Sequence, residues 1–293
     1  LARHARGFPS ALTWVDPCSG VGNLSYWLVH EQKQPEQFLL KQLYLVDTDS
    51  LALLIARVLL TVKFQATETR LFDKLADRFL NRDFLEATDL PKFDAAILNP
   101  PYVSGIHNES FQTASTRNLY AYFLERVTQL CKKGYVSITP QTFTNAGSFA
   151  SLREILIEGH KSIDVYCFDN VPDNIFSGVK FGSGNTNKAN STRAGIIVAK
   201  GAQDRRHRIT PLLRWRSHER SQMLASAHNF LTETTFTENV FPKVGRELRK
   251  LYGAVRSLER LQQLIAQNPT SYQLQVPTTP RYFISANKRP VRR

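Results

Sequence analysis

The sequence predicts an α/β protein: a mostly parallel sheet with helices on both faces, followed by a basic C-terminal region. Three observations carry this. Short apolar runs alternate with helical patterns from residue 12 to residue 200, the rhythm of a parallel sheet with crossover helices. A glycine-bearing turn joins the first strand to the first helix. A stiff polar turn, Asn99-Pro100-Pro101-Tyr102, directly follows the apolar run Ala95 to Leu98.

In chain order, Thr13-Trp14-Val15 reads as a strand and Asn23 to His30 as a helix. Gln42 to Val46 is a strand. Ser50 to Val62 is a helix that places Leu51, Leu54, Ile55, Val58, Leu59 and Val62 on one face. Phe79-Leu80 is a short strand or turn, and Ala95 to Leu98 a buried strand. Leu119 to Cys131 is a helix, with Gly134 expected at its C′ stop. Tyr135 to Ile138 is a strand, Ser148 to Glu158 a helix, and Ile163 to Phe168 and Ala194 to Ala199 are strands. The polar loops Ser104 to Arg117 and Gly178 to Thr192 are long enough to be mobile and functional. Beyond residue 200 the pattern degrades: a basic helix over Glu247 to Gln267, then a proline-punctuated tail with a strand over Arg281 to Ser285.

Composition narrows the function classes. The 293 residues are 42% hydrophobic, enough for a sizeable core. The longest apolar run, Leu51 to Val62, is interrupted by Arg57 and falls short of the roughly 18–20 residues that span a bilayer. Three widely spaced cysteines (Cys18, Cys131, Cys167) without a Cys-x-x-Cys argue against a metal or disulfide framework and fit a reducing cytoplasm. Leu1 in place of an initiator methionine is expected of a piece of a longer chain. The net charge of +13 is unevenly placed. Residues 1–200 carry 21 Lys and Arg against 19 Asp and Glu, and residues 201–293 carry 17 against 6. A near-neutral body, 1–200, with a basic region, 201–293, implies a polyanionic partner, most simply nucleic acid.

Four constellations carry chemistry. The first is Asp16-Pro17-Cys18-Ser19-Gly20-Val21-Gly22. Its glycines admit close backbone approach. An acid at the mouth of the loop disfavours a pyrophosphate and favours an ammonium or sulfonium group, which points to S-adenosylmethionine. The second, Asp47-Thr48-Asp49, ends the next strand, where a carboxylate accepts from ribose hydroxyls; the acids also suit a helix cap at Ser50. The third, Asp83-Phe84, suits an adenine amino group and ring face at the end of the third strand. The fourth is Asn99-Pro100-Pro101-Tyr102. The Asn99 side-chain oxygen and the Pro100 carbonyl offer two acceptors to a planar amino group, so its lone pair is aimed at an incoming methyl, while Tyr102 stacks on the base.

With these four in order, the chain resembles the S-adenosylmethionine-dependent adenine-N6 DNA methyltransferases, and most closely the gamma class. In that class the cofactor motif precedes the catalytic motif and a target-recognition region follows. The resemblance covers roughly residues 12–200. It extends to Asn118-Leu119-Tyr120-Ala121-Tyr122-Phe123-Leu124-Glu125-Arg126 and to Asn174-Ile175-Phe176. It implies a Rossmann-like class I methyltransferase fold, with residues 1–200 as the catalytic domain and 201–293 as a DNA-binding, target-recognition region. It further implies Phe176 stacking on the base opposite Tyr102, double-stranded DNA as substrate, base flipping, and a restriction or specificity subunit or domain as partner. Departures exist: Asp16-Pro17-Cys18-Ser19 differs from the usual cofactor motif, and only about a dozen residues precede the first strand, where the family carries a helical segment over the methionine end. Protein-glutamine and RNA-base methyltransferases present the same tetrapeptide, and a degenerate DNA-binding subunit is a non-catalytic alternative. No Pro-Asp…Glu-x-Lys nuclease signature occurs.

Overall fold

The computed structural model describes residues 1–176, 192–245 and 248–257. Residues 1–246 form one compact unit and 247–293 a second.

The first unit opens with α1 (Ala2–Ala5), β1 (Trp14–Asp16), α2 (Asn23–His30), α3 (Pro35–Lys41) and β2 (Leu43–Asp47). There follow α4 (Ser50–Phe64), α5 (Leu71–Lys74), β3 (Phe79–Asn81) and β4 (Ala95–Leu98). Next come α6 (Leu119–Leu130), β5 (Gly134–Pro140), α7 (Ala150–Gly159), β6 (Ser162–Phe168), β7 (Ala194–Lys200) and β8 (Arg206–Leu213). The unit ends with α8 (Arg220–Ser226) and β9 (Thr232–Glu233). All nine strands join one sheet in the order β3-β2-β1-β4-β5-β7-β6-β8-β9. Strands β3 to β5 run parallel through β2, β1 and β4. Strand β7 lies antiparallel between β5 and β6.

Every residue of β4, β5 and β6 is buried, as expected of strands covered on both faces. Alternate side chains enter separate cores. Trp14, Leu45 and Ile97 point to the layer holding Leu28, Phe38 and Leu53. Val15, Val46, Ala96 and Leu98 point to the layer holding Leu124, Val127 and Leu152. Helices therefore cover both sides of the sheet.

Three expectations are corrected by the structure. In α4 the buried positions are Ala52, Leu53, Ala56, Leu60 and Thr61, whereas Leu51, Leu54, Ile55, Val58 and Val62 are exposed. The helix is apolar nearly all round, so periodicity alone could not choose its inner face. Close packing chooses it: a Cβ on Gly22, whose φ is +79°, would lie 2.9 Å from the Ala56 Cβ. Second, Gly134 is not a helix stop. Helix α6 ends at Leu130, and Gly134 opens β5 with φ +120°, pressed against β7 so that an added Cβ would sit 2.0 Å from the Ala199 carbonyl. Third, the sheet continues past residue 200 through β8, which pairs with β6, and β9, which pairs with β8. The charge change at residue 200 thus falls inside the compact unit.

In the second unit, helix α9 (Arg249–Ser257) occupies part of the basic helix expected over Glu247 to Gln267. The remainder of that helix, the strand expected over Arg281 to Ser285 and nearly all of the Gly178 to Thr192 loop lie outside the described residues. Among the described residues, no helix is long and apolar enough to cross a membrane. Cys18, Cys131 and Cys167 are free thiols.

Gly134→Ala is expected to cost at least about 2 kcal/mol, because it adds both a strained φ and a clash with backbone. Urea unfolding against wild type measures it.

Candidate active site

The C-terminal ends of β1, β2, β3 and β4 border a cleft of about 430 Å³. This is the edge of an open α/β sheet where ligands bind. The turn after β1 is shaped by Gly20 at φ +50° and Gly22 at φ +79°, values that glycine adopts without strain. The Asp47 carboxylate draws this turn onto β2. Its Oδ2 accepts from the Gly20 N–H at 2.7 Å and its Oδ1 from the Asp49 N–H at 3.0 Å. Pro17, Cys18, Gly20, Asp47 and Thr48 line the cleft. Asp49 instead caps α4, accepting from the Leu51 and Ala52 N–H groups. Gly22 packs on Ala56 and is not part of the cleft wall.

Asp16 is also absent from the wall. It lies beneath the turn, 1% exposed, where Oδ2 accepts from the Ser25 hydroxyl at 2.8 Å and Oδ1 has no partner. Burial pushes this carboxyl up to about 7, against the pull of the Ser25 hydroxyl and the Cys18 N–H. An orphaned buried carboxylate oxygen next to a cleft is what a cationic group would satisfy, so the donor set fits a ligand that bears an ammonium. Burial likewise pushes the Cys18 thiol well above its ordinary range, so this thiol stays protonated.

Asp83 lines the same cleft, with Oδ1 accepting from the Leu85 N–H at 2.9 Å. Phe84 is 2% exposed and lies parallel to Phe123, with centroids 6.1 Å apart. Both rings touch the cleft, giving it an apolar floor for a flat heterocycle.

Asn99 is exposed at the end of β4, and with Pro101 it forms the opposite wall. The Tyr102 hydroxyl lies within hydrogen-bond reach of Asn99 Oδ1 and of the Ile138 carbonyl at 3.0 Å. One hydroxyl proton serves one of these at a time, so when it turns to Ile138 the Asn99 oxygen is free to accept elsewhere. Burial raises the Tyr102 hydroxyl above its ordinary value, which keeps it a neutral donor. The Phe176 ring meets Tyr102 edge to face, with centroids 5.2 Å apart. The two rings touch, so nothing flat enters between them unless one swings aside. Phe176 is set by its own turn: its N–H donates to Asn174 Oδ1 at 3.0 Å. Arg220 of α8 donates to the Asn174 and Ile175 carbonyls, each at 3.2 Å.

The loop after the tetrapeptide, expected to be mobile, is tied down. Ser104 bridges to Asn118, the Gly105 N–H donates to the Arg117 carbonyl, and the Tyr122 hydroxyl donates to the Ile106 carbonyl at 2.9 Å. Glu125, 1% exposed, accepts from the Gln112 and Thr113 N–H groups and the Thr113 hydroxyl. Buried acids in helices are rare enough that Glu125 was the available signal for such an anchor. Arg82, Leu119 and Phe123 also line the cleft without having been singled out as site residues. Only their place after a strand or on α6 pointed there.

Residues 41–176 match the model of the Eco57I restriction-modification methylase family. That segment contains Asp47, Asp83, Asn99 to Tyr102 and Phe176, while the turn over Asp16 to Gly22 lies before it. No curated protein matches the chain in sequence. Among solved structures, the DrdV–DNA complex aligns at TM-score 0.58 with 14% identity, over 77% of this chain and 27% of that one. A type I restriction-modification methyltransferase subunit from Streptococcus thermophilus aligns at TM-score 0.58 with 16% identity, over 84% of this chain and 56% of that one. A putative class I S-adenosylmethionine-dependent methyltransferase from Listeria monocytogenes aligns at TM-score 0.50 with 15% identity, over 78% of this chain and 68% of that one. These likenesses show the class I methyltransferase fold. The chain spans about a quarter of DrdV and just over half of the S. thermophilus subunit.

Two predictions follow from this geometry. The Asp16 carboxyl stands at about 7 in the folded chain against an ordinary 3.8. Its ionisation therefore opposes folding, and this loss of stability sets in as pH rises from about 4 to about 7. A cation bound beside it favours the ionised form, so cation affinity strengthens over the same rise. Calorimetric titration with S-adenosylmethionine across pH 5.5–8.5 reads this, and Asp16→Asn is expected to flatten the profile. Glu125→Ala removes three hydrogen bonds to the loop and is expected to cost about 2–3 kcal/mol. Limited proteolysis would then cut between residues 104 and 117 faster than in wild type.

Proposed function

We propose that this protein transfers a methyl group from S-adenosylmethionine to the N6 amino group of an adenine flipped out of duplex DNA, as the modification component of a restriction-modification system. One observation carries the reading: Asn99-Pro100-Pro101-Tyr102 ends a buried strand, with Asn99 and Pro101 lining the cleft and the Tyr102–Phe176 pair beside it. The Eco57I match over the same residues supports it.

Cofactor binding falls to the cleft. Asp47 answers the ribose hydroxyls and Asp83 with the Phe84–Phe123 floor the adenine, while the Asp16 carboxylate, buried beneath the turn, acts through its charge on the ammonium of the methionine end. When bound, S-adenosylmethionine supplies an electrophilic methyl on a sulfonium centre.

The chain's residues prepare the target nitrogen. An aromatic amine is a weak nucleophile because its lone pair is delocalised into the ring. With Tyr102 donating to Ile138, Asn99 Oδ1 accepts one N–H of the target and the Pro100 carbonyl the other. The nitrogen then moves toward tetrahedral geometry and its lone pair faces the cleft. As the new C–N bond forms, the methyl–sulfur bond breaks and the sulfur departs as a neutral thioether, while the nitrogen gives one N–H proton to water. Tyr102 and Phe176 part to hold the base, which pays the unstacking cost of flipping in part. The basic residues 201–293 grip phosphates and contribute target recognition. A restriction or specificity subunit or domain is the expected partner, and DNA inside the cell the place of action.

Asn99→Ala is expected to lower methyl transfer to unmethylated genomic DNA by about 10²-fold or more, while calorimetric binding of S-adenosylmethionine changes little. Activity within a few-fold of wild type would overturn the role of Asn99. The same assay on RNA and on a glutamine-bearing release factor separates DNA from the other substrates of this tetrapeptide. Methyl transfer to neither DNA nor those two returns the chain to a non-catalytic DNA-binding subunit.

A further inference from the structure

A second cavity, of about 420 Å³, opens where β5 and β6 end and β7 begins. The methyl-transfer reading leaves it unused. Its wall comes from three places: Gln141, Thr142 and Asn145 after β5, Asn170 and Arg193 flanking β6 and β7, and Lys243 from the segment after β9. Two cations and several amides line it, and none of its lining residues is acidic.

The wall is built rather than draped. Gln141 is 5% exposed, and its Nε2 donates to the Phe168 and Ala194 carbonyls at 2.8 and 2.6 Å. This leaves its Oε1 3.5 Å from Lys243 Nζ. Arg193 gives its Nε–H to Asp169 at 2.8 Å, and Asp169 also takes Arg214. Of the five donors on that guanidinium, the remainder lie on a side chain that is 51% exposed. The segment bearing Lys243 is pinned two residues earlier. The Phe241 N–H donates to the Thr144 carbonyl at 2.7 Å, and the Phe241 ring stacks on Phe236 with centroids 4.0 Å apart.

Two links run from the cavity toward Tyr102 and Phe176. The Thr142 hydroxyl shares a hydrogen bond of 2.6 Å with the Tyr120 hydroxyl, and the Tyr120 ring meets the Tyr102 ring with centroids 6.3 Å apart. Asn170 stands on the same loop as Phe176.

We propose that this cavity receives a phosphodiester of the DNA strand carrying the target base, held by Lys243 and Arg193. The inference rests on the methyl-transfer reading. A concave site lined by two cations and neutral donors matches a phosphate: lysine contributes a point charge, and Arg193, though its Nε–H is held by Asp169, keeps the rest of its planar fork. Its link through Thr142 and Tyr120 to the Tyr102 ring suits it to a backbone anchor for the nucleotide that leaves the stack. It fixes register without reading sequence.

The test is duplex binding by fluorescence anisotropy across a salt series, for wild type, Lys243→Ala and Lys243→Arg. Lys243→Ala is expected to weaken duplex binding about tenfold and to lower the slope of log K against log salt by about one. Lys243→Arg is expected to restore most of both, and S-adenosylmethionine binding stays unchanged in all three. Inorganic phosphate at millimolar level should compete better with wild type than with Lys243→Ala. Wild type that binds and methylates DNA, with Lys243→Ala matching it in affinity and slope, overturns the phosphate site alone. Wild type that binds no duplex overturns the site and the functional reading together.

Discussion

The parallel register of β4 between β1 and β5 is the constraint on which the site depends. Trp14 pairs with Ala95 and Val15 with Ala96 on one side; Ala95 pairs with Gly134 and Leu98 with Ser137 on the other. The register is fastened at its start, where the Thr13 N–H donates to the Asp94 carboxylate at 2.9 Å and the Lys133 N–H to the Asp94 carbonyl. Because all three strands are fixed there, they finish in a set relation at the other end. Asn99 then emerges beside the Cys18 turn, and the Ile138 carbonyl meets the Tyr102 hydroxyl. A one-residue slip would invert which of Ala95 to Leu98 face each core layer.

Around that frame lie two cavities with different charged linings. The cleft on the β1–β3 side gathers Asp47 and Asp83 in its wall, with Asp16 buried behind it. The cavity on the β5–β7 side gathers Lys243 and Arg193. Asn99 belongs to the cleft wall, and the Tyr102 hydroxyl reaches its side-chain oxygen. Buried anchors hold this division: Glu125 fixes the loop after Tyr102, and Arg153, 0% exposed, ties α7 to the Phe143, Ala146 and Glu238 carbonyls.

Much of this was legible in the chain because the relevant signals are local. Ala95 to Leu98 followed by Asn-Pro-Pro-Tyr reads as a buried strand and its stiff end, since proline acts on its immediate neighbours. The Asp49 cap could be anticipated from its place before α4. Other features were not legible. The inner face of α4 was decided by Ala56 against Gly22, a contact across 34 positions in sequence. The role of Gly134 depends on Ala199, on a strand far along the chain. Strands β8 and β9 carry mixed burial at the sheet edge, so their sequences lack the apolar run that marks the central strands.

The sequence by itself determined the order of β1 to β7 and of the helices α2, α4, α6 and α7, the strand that leads into Asn99, and the residue types offered for chemistry. These follow from backbone restrictions and hydrophobic spacing within a few residues. The tertiary structure alone decided that Asp16 lies beneath its turn rather than at the mouth, that the Ser104 to Arg117 loop is tied down, and that Gln141, Arg193 and Lys243 share one cavity. Each of those depends on which distant groups become neighbours once the sheet closes. Burial, and with it the cost of an unpaired charge, is set only at that step.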